Sequence, residues 1–194
     1  MDSQPTVAQF PSAPMIILVV DLTGYTRGFH THSDSEMAGF LDRFYRMVEH
    51  VIQEQGGKVI KFMGDAALTA FPPDAASEAV RAAVAMRHAS DALADDVGLD
   101  FRLGANIHFG ETVASEFGSG ESRRYDIIGR AVNQTFLIGR GGGIRLSERV
   151  YRKLASEERS PWEKHKPPTV YVLDDSNEPY AVFGKSPSEN AIRW

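Results

Sequence analysis

The sequence contains no cysteine, no long apolar segment and no excess of basic residues. Because cysteine is absent from all 194 residues, disulfides and thiolate metal sites are excluded. The apolar run at residues 15–20 is far shorter than the roughly 20 residues that a membrane-spanning helix needs. The formal net charge of −5 argues against a general nucleic-acid binder, whose domain is normally basic. We therefore expect no nucleic-acid partner and no membrane segment in this chain.

The amino terminus offers no targeting signal. Residues 1–14 contain three prolines and lack the basic start and apolar stretch of a signal peptide. We predict a flexible leader over 1–14, one domain over 15–185 and a tail over 186–194, in a cytoplasmic protein. The sequence also fits one domain of a longer, membrane-bound protein. Hydrophobic residues make up 42% and charged residues 24%, as in an ordinary globular protein with a substantial core.

Hydrophobic periodicity predicts strands and helices in the order β-α-β-β-α-β, with later additions. Strands are predicted at 15–20 and 99–109, a hairpin at 58–71, and helices at 36–54 and 74–93. Gly110 is predicted to turn the chain into a partner strand. The later predicted elements are that strand at 112–117, a helix at 131–138, a strand and short helix at 144–154, and strands at 169–173 and 180–183. This order predicts a ferredoxin-like α+β fold, an antiparallel sheet with helices on one face and extra C-terminal strands.

The hairpin at 58–71 carries two charged residues among apolar ones. Gly64 supplies the backbone freedom of a tight turn, and Asp65 follows it at the tip. Lys61 lies within the first strand of the hairpin. One interpretation is an edge-strand charge that discourages aggregation. The other is a lysine and a carboxylate that serve a ligand, and the hairpin alone leaves both open.

Asp21 ends the first apolar strand and begins a turn, LTGYT, at residues 22–26. Backbone N–H groups in such a turn before a helix can bind phosphate oxygens. A residue that merely closes the strand is an equally good interpretation of Asp21 by itself. The glycine run GRGGG at 139–143 lacks the Lys-Ser/Thr end of a nucleotide P-loop, so we predict a helix exit there.

Three stretches, in this order, resemble the class III nucleotidyl cyclases. VDLTGYT at 20–26 is similar to the family's Asp-Ile-x-Gly-Phe-Thr, and KFMGDA at 61–66 is similar to Lys-x-x-Gly-Asp-Ala. YDIIGRAVN at 125–133 is similar to Asp-x-x-Gly-x-x-Val-Asn. Each motif alone is moderately specific, but the ordered set is strong and covers about residues 15 to 175.

The resemblance implies a two-metal cyclase. Asp21 and Asp65 would bind two Mg²⁺ or Mn²⁺ ions, and the backbone carbonyl of Leu22 would be a further ligand. Oxygen ligands of this kind suit such cations, which can activate the attacking 3′-oxygen and stabilise the leaving oxygen. The turn formed by Gly24, Tyr25 and Thr26 would bind the β- and γ-phosphates.

The resemblance also implies the substrate and the assembly. Lys61 and Asp126 match the family positions that read the base, and a lysine donor with an aspartate acceptor complements adenine better than guanine. Asn133 matches the asparagine that orients the ribose. In this family two subunits associate head to tail, one supplying the metal carboxylates and the other the base-reading pair and the asparagine. The expected activity is therefore that of a homodimeric adenylate cyclase acting on ATP.

One family position is changed. The arginine that usually lies four residues after the asparagine and stabilises the transition state is replaced by Leu137. Arg140 is the nearest substitute, and Arg130 or Arg145 are alternatives. Lys164 and Lys166 are candidates for the family's phosphate-binding lysine.

The change at Leu137 leaves a second hypothesis open, a cyclase-like domain that binds nucleotide with little or no turnover and regulates a partner. A polymerase-type palm domain is a third hypothesis. The Lys61 and Asp126 pair disfavours it, because a template-reading enzyme needs no fixed base selector.

Overall fold

The central strand of the fold, β1, spans Ser12–Thr23. The computed structural model describes residues 10–165 and 169–173; the predicted strand at 180–183 and the predicted tail at 186–194 lie outside them. Residues 16–20 are each at most 5% exposed, so β1 is buried on both faces, as its continuous apolar run predicts. The strand begins within the predicted leader and extends into the predicted turn at its other end.

Two long helices follow their predicted positions. Helix α1 spans Asp34–Glu54 and helix α2 spans Ala76–Val97. The Ser33 side chain accepts a hydrogen bond from the Glu36 backbone N–H, and the Glu36 carboxylate accepts one in return from the Ser33 N–H. This capping box fixes the start of α1. No helix among the described residues has the length and apolar character needed to cross a membrane.

The eight described strands form one sheet in the order β2-β3-β1-β4-β6-β8-β7, with β5 paired to β4. The remaining strands are β2 (Lys58–Met63), β3 (Ala66–Phe71), β4 (Arg102–Phe117), β5 (Arg124–Ile128), β6 (Gly143–Ser147), β7 (Trp162–His165) and β8 (Val170–Leu173). The first four strands pair antiparallel in the order expected of a ferredoxin-like unit. The predicted α+β fold class is confirmed.

Gly110 does not turn the chain, and this prediction was wrong. Strand β4 continues through it without a break and pairs with β1 as far as Val113. A Cβ atom at Gly110 would lie 2.8 Å from the Cβ of Ala131. The glycine is therefore required for the close approach of the helix that contains Ala131 rather than for a turn, and the true partner of residues 113–117 is β5.

The helices occupy both faces of the sheet. Helices α1 and α2 pack on one face, against the β1 residues Ile16, Leu18 and Val20. The shorter helix α3 (Arg130–Leu137) packs on the other face, in a small cluster with Ile17 and Val19. The predicted placement of helices on one face thus holds for α1 and α2 but not for α3. Helix α4 (Glu148–Tyr151) is shorter than predicted, and β7 was not predicted.

Candidate active site

Asp21 and Asp65 meet where β1 ends. Asp21 pairs with Ala66, the first residue of β3, and the backbone N–H of Leu22 donates to the carbonyl of Asp65 at 3.2 Å. The turn that Gly64 allows therefore brings the Asp65 carboxylate beside that of Asp21. Burial raises the pKa of Asp21, and the charge of Asp65 raises it further, although Arg145 and Thr23 act in the opposite direction.

These two carboxylates have the chemistry of a divalent-cation site. The charge of Asp65 adds to the effect of burial in raising the pKa of Asp21, and a cation between the two carboxylates would relieve their repulsion. Among residues 10–165 and 169–173 there is no group of three or more His, Cys, Asp or Glu side chains that could bind a metal. Further ligands would have to be backbone carbonyls such as that of Leu22, water or phosphate oxygens, and Mg²⁺ accepts such ligands. The residues present thus fit the predicted metal site.

The predicted phosphate-binding turn lies directly after these residues. Gly24 has a φ of 95°, a left-handed conformation that favours glycine, and it precedes a 3₁₀ helix spanning Tyr25–His30. Tyr25 is buried, and its hydroxyl donates to the carbonyl of Met37 in α1 at 3.4 Å. Thr26 is exposed on the first turn of the helix. The turn is thereby anchored to the core at Tyr25.

Lys61 and Asp126 form an ion pair in the structure. The Lys61 Nζ lies 2.6 Å from the Asp126 Oδ2, which joins β2 to β5 although the two residues are 65 positions apart in sequence. The pair lines a cavity of about 320 Å³. Asn133 on α3 lines the same cavity, together with the apolar side chains of Leu68 and Val132. The three residues predicted to read the base and orient the ribose are therefore brought together.

Exposed apolar side chains lie on the elements that form this cavity, and two of them, Ile128 and Phe136, line it. Six large hydrophobic residues are exposed among those described, and four of them lie between residues 125 and 137. They are Tyr125, Ile128, Phe136 and Leu137. Leu137, at the position of the family's arginine, is 76% exposed. Neighbouring exposed apolar groups of this kind are typical of a surface that another molecule covers.

The candidate arginines and lysines lie in different surroundings. Arg145 is 1% exposed, and its guanidinium donates to the carbonyls of four residues, Arg140, Gly141, Gly142 and Gly143. Its guanidinium is therefore engaged by the backbone in this structure, which disfavours the alternative that Arg145 reaches the nucleotide. Arg130 is exposed at the start of α3, and Arg140 is exposed after its end. Lys164 is exposed on β7, and Lys166 lies outside the described residues.

The structural role of Arg145 was missed in the sequence. In the stretch IRLS the arginine alternates with apolar residues, which is typical of a solvent-facing position on a strand. Nothing in the sequence indicates that a run of glycine carbonyls would surround the guanidinium. Only the excess of glycine just before the strand marks the place where backbone and side chain approach closely.

Comparison with known protein families identifies the family to which the chain belongs. The family model described as "Adenylate and Guanylate cyclase catalytic domain" matches residues 8–178. The chain belongs to this family. Members of it are nucleotidyl cyclases that bind a nucleoside triphosphate, use divalent metals and commonly dimerise.

Solved cyclase structures resemble this cyclase domain over most of its length. The guanylyl cyclase Cya2 is 26% identical and superimposes with a TM-score of 0.76, covering 88% of this chain and 96% of its own. The adenylyl cyclase CyaB from P. aeruginosa is 18% identical, with a TM-score of 0.71 and coverage of 84% and 95%. The second likeness shows the fold alone.

The curated relatives are uncharacterised and longer. A Mycobacterium tuberculosis protein is 26% identical over 153 residues, which are 75% of this chain and 28% of the relative. A Mycobacterium bovis protein is 31% identical over 120 residues, covering 61% of this chain and 21% of the relative. The cyclase domain thus matches less than a third of the length of these relatives.

Proposed function

We propose that this cyclase domain is an adenylate cyclase, which converts ATP to 3′,5′-cyclic AMP and pyrophosphate. The ribose 3′-oxygen forms a bond to the α-phosphorus, and the bond from that phosphorus to the oxygen bridging to the β-phosphate breaks. The hydroxyl proton is released to solvent, and pyrophosphate leaves with the bonding electron pair. The observation that carries this proposal is the Lys61–Asp126 pair beside Asn133 in one cavity.

The choice of ATP follows from the complementarity of donors and acceptors. Adenine presents an acceptor at N1 and a donor at its 6-amino group. Lys61 supplies only donors and Asp126, when ionised, only acceptors. Guanine reverses the two roles at its 6-oxo group and N1. A buried polar group left without a partner weakens binding strongly, so this pair favours adenine.

The remaining residues serve the triphosphate and the ribose. Asp21, Asp65 and the Leu22 carbonyl would hold Mg²⁺ or Mn²⁺, which supply Lewis-acid stabilisation of phosphate charge when bound. The backbone N–H groups of Gly24, Tyr25 and Thr26 bind the β- and γ-phosphates. The Asn133 side chain orients the ribose from helix α3. Arg140 supplies the missing positive charge.

The active form is a head-to-tail homodimer in which each site takes groups from both subunits. The exposed apolar residues around the cavity support this arrangement, because a second subunit would cover them. Asp21 and Asp65 of one subunit would act on a nucleotide whose base lies against Lys61 and Asp126 of the other. Every copy carries both sets, so a homodimer would form two equivalent sites.

The direct test is cyclic-nucleotide production by the purified protein with ATP or GTP and Mn²⁺, beside an Asp65→Ala variant. We expect cyclic AMP from ATP, much less cyclic GMP from GTP, and loss of both in the variant. Preferential production of cyclic GMP would make the protein a guanylate cyclase and overturn the base assignment. No product from either nucleotide, with metal-dependent ATP binding retained, would exclude the enzyme.

A second candidate function is a nucleotide-binding regulatory domain with little turnover. The exposed Leu137 in place of an arginine favours it. A Leu137→Arg variant separates the two candidates by its rate of cyclic AMP formation. A gain of roughly 10²-fold would indicate a site that lacks a transition-state donor. No gain would indicate that another residue already fills that role.

A further inference from the structure

The glycine-rich loop at 139–143, between α3 and β6, is held in place by two buried side chains. Arg145 donates to the carbonyls of residues 140–143 at 2.7 to 3.2 Å. Asn106 on β4, which pairs with Arg145 in the sheet, donates from Nδ2 to the Gly139 carbonyl at 2.9 Å. All five carbonyls of the loop are thus fixed by donors that are at most 7% exposed. Hydrogen bonds from buried side chains therefore fix the conformation of this loop.

The loop adjoins the metal carboxylates of its own subunit. A Cβ atom at Gly104 of β4 would collide with the carbonyl of Gly141 and lie 2.7 Å from the Asp21 Oδ1. The Gly141 carbonyl and the Asp21 carboxylate therefore flank the same point on β4. Arg145 contributes to the electrostatics of Asp21, lowering its pKa, which agrees with this proximity. Residue 140 directly precedes Gly141, whose carbonyl lies next to Asp21, so the backbone of residue 140 is held near that carboxylate.

Arg140 is the charged residue that this fixed loop exposes. Its carbonyl is bound by Arg145, but its side chain is exposed. In the described part of the chain, no hydrogen bond or ion pair involves the Arg140 guanidinium. A backbone fixed next to Asp21 that carries an exposed, unengaged guanidinium suits a ligand with several phosphate oxygens. Arginine binds such oxygens through two parallel hydrogen bonds.

We propose that Arg140 contacts the α- and β-phosphates in the site formed by Asp21 and Asp65 of its own subunit. In each site, the arginine and the metal carboxylates would then come from one subunit, and Asn133 would come from the other. Arg145 and Asn106 act as positioning residues that hold its loop. This inference rests on the proposed cyclase function and identifies which subunit completes the charge around the phosphates.

Mixing of variant subunits tests the assignment. Asp65→Ala and Asn133→Ala homodimers are each expected to be inactive. Their mixture recovers part of the wild-type activity, because one site takes its carboxylates from the Asn133→Ala subunit and its asparagine from the Asp65→Ala subunit. Adding Arg140→Ala to the Asn133→Ala subunit should lower the recovered activity by roughly 10²- to 10³-fold. Adding it to the Asp65→Ala subunit should leave the recovered activity unchanged.

The outcomes are distinct. Loss only when Arg140→Ala is on the Asp65→Ala subunit would place the arginine in trans and overturn the proposal. Recovery that is unaffected on either subunit would remove Arg140 from the site. Wild-type inactivity would contradict the proposed function instead. Arg46→Ala, which removes an exposed arginine from α1, is the matched control and should change nothing in either subunit.

A binding measurement supplies a readout that does not depend on turnover. Calorimetric titration of the wild-type dimer with α,β-methylene ATP and Mn²⁺ reports the contact with the phosphates. Arg140→Ala should weaken this binding by about tenfold, the effect of one charge-assisted hydrogen bond, and Arg46→Ala should not. Equal affinities of the Arg140→Ala and wild-type proteins would overturn the proposed contact. This test applies even if the mixed subunits recover no activity.

Discussion

At the scale of single residues, Lys61 and Asp126 show what sequence motifs can and cannot predict. The motifs identify both residues as a base-reading pair by resemblance. Their direct ion pair at 2.6 Å depends on β5 approaching β2, which no local pattern predicts. The side chains are 41% and 25% exposed, so water still reaches the pair. Its stabilising contribution is therefore small, which agrees with the proposed role of the pair in binding a base.

Replacing Lys61 should relax the selectivity for adenine. In Lys61→Met the donor to the base is lost and Asp126 keeps its charge without a partner. We expect kcat/KM for ATP to fall by roughly 10- to 100-fold, equivalent to a hydrogen bond with a charged group, while that for GTP changes little. Steady-state kinetics with both nucleotides measure the ratio. Lys58→Met, in the same strand but outside the cavity, is the control, and an equal loss for both nucleotides would contradict base reading.

His108 provides a prediction on pH. His108 lies on β4 and is 7% exposed. It pairs with Ile17, so its side chain is on the face of the sheet that α3 covers. Burial lowers the pKa of His108; the side chain of Gln134 opposes this shift and the charge of Arg149 reinforces it. An unfolded histidine takes up a proton below about pH 6.5. The folded protein resists protonation there, so stability present above that pH is lost as the pH falls.

Chemical denaturation at a series of pH values checks this expectation. Between about pH 6.5 and the lowered pKa, His108 should contribute a slope of up to ~1.4 kcal/mol per pH unit to the free energy of unfolding. In His108→Gln that part of the slope should disappear. The same slope in both proteins would show that His108 is not protonated selectively in the unfolded state.

At the scale of elements, the regular helices and central strands are predictable and the exceptions have particular causes. Helices α1 and α2 have clear apolar periodicity in the sequence. Gly110 was misread because a glycine in a strand signals a turn, a bulge or a close approach, and only the packed helix distinguishes them. Strand β7 is four residues long and has a single buried side chain, Trp162, so its pattern is too short to detect.

Substitution at Gly110 should separate α3 from the sheet. In Gly110→Ala the added methyl group meets Ala131 at 2.8 Å, so the helix has to shift. We expect a loss of about 1–3 kcal/mol in the free energy of unfolding, as in other overpacked sites, together with weaker nucleotide binding at the cavity. Urea denaturation and nucleotide titration measure the two effects.

Gly39→Ala is the matched control for that experiment. Gly39 is exposed in α1, and a Cβ atom there meets nothing within 4 Å. The substitution should stabilise the protein by about 0.5–1 kcal/mol through helix propensity. If Gly110→Ala were equally harmless, the close packing of α3 on β4 would be wrong.

At the scale of the whole molecule, the single chain presents two separate sets of polar groups. Asp21 and Asp65 lie at the end of β1, whereas Lys61, Asp126 and Asn133 line a separate cavity with an apolar rim. The fold class and the members of each set were predicted from the sequence. The arrangement of two subunits cannot be predicted from the sequence, because the surfaces involved are distinguished only by their exposed apolar side chains.

Dilution tests the proposed dimer. Since isolated subunits would lack complete sites, the activity per subunit should fall as the concentration drops below the dimer dissociation constant. Specific activity and sedimentation velocity measured over the same concentrations should change together. Constant activity per subunit in a range where sedimentation shows only monomers would contradict shared sites.

Strand β2 lies at one edge of the sheet among the described strands, and Lys61 is part of that edge. The register with β3 shifts between Val59 and Lys61, and Lys58 adds a second charge. Irregular register and lysines are the features by which edge strands avoid pairing with other chains. The residue that we propose to select the base therefore also has a feature that protects an edge strand. Changes of nucleotide specificity that remove the charge of Lys61 are therefore expected to lower solubility, and a compensating charge elsewhere on β2 should restore it.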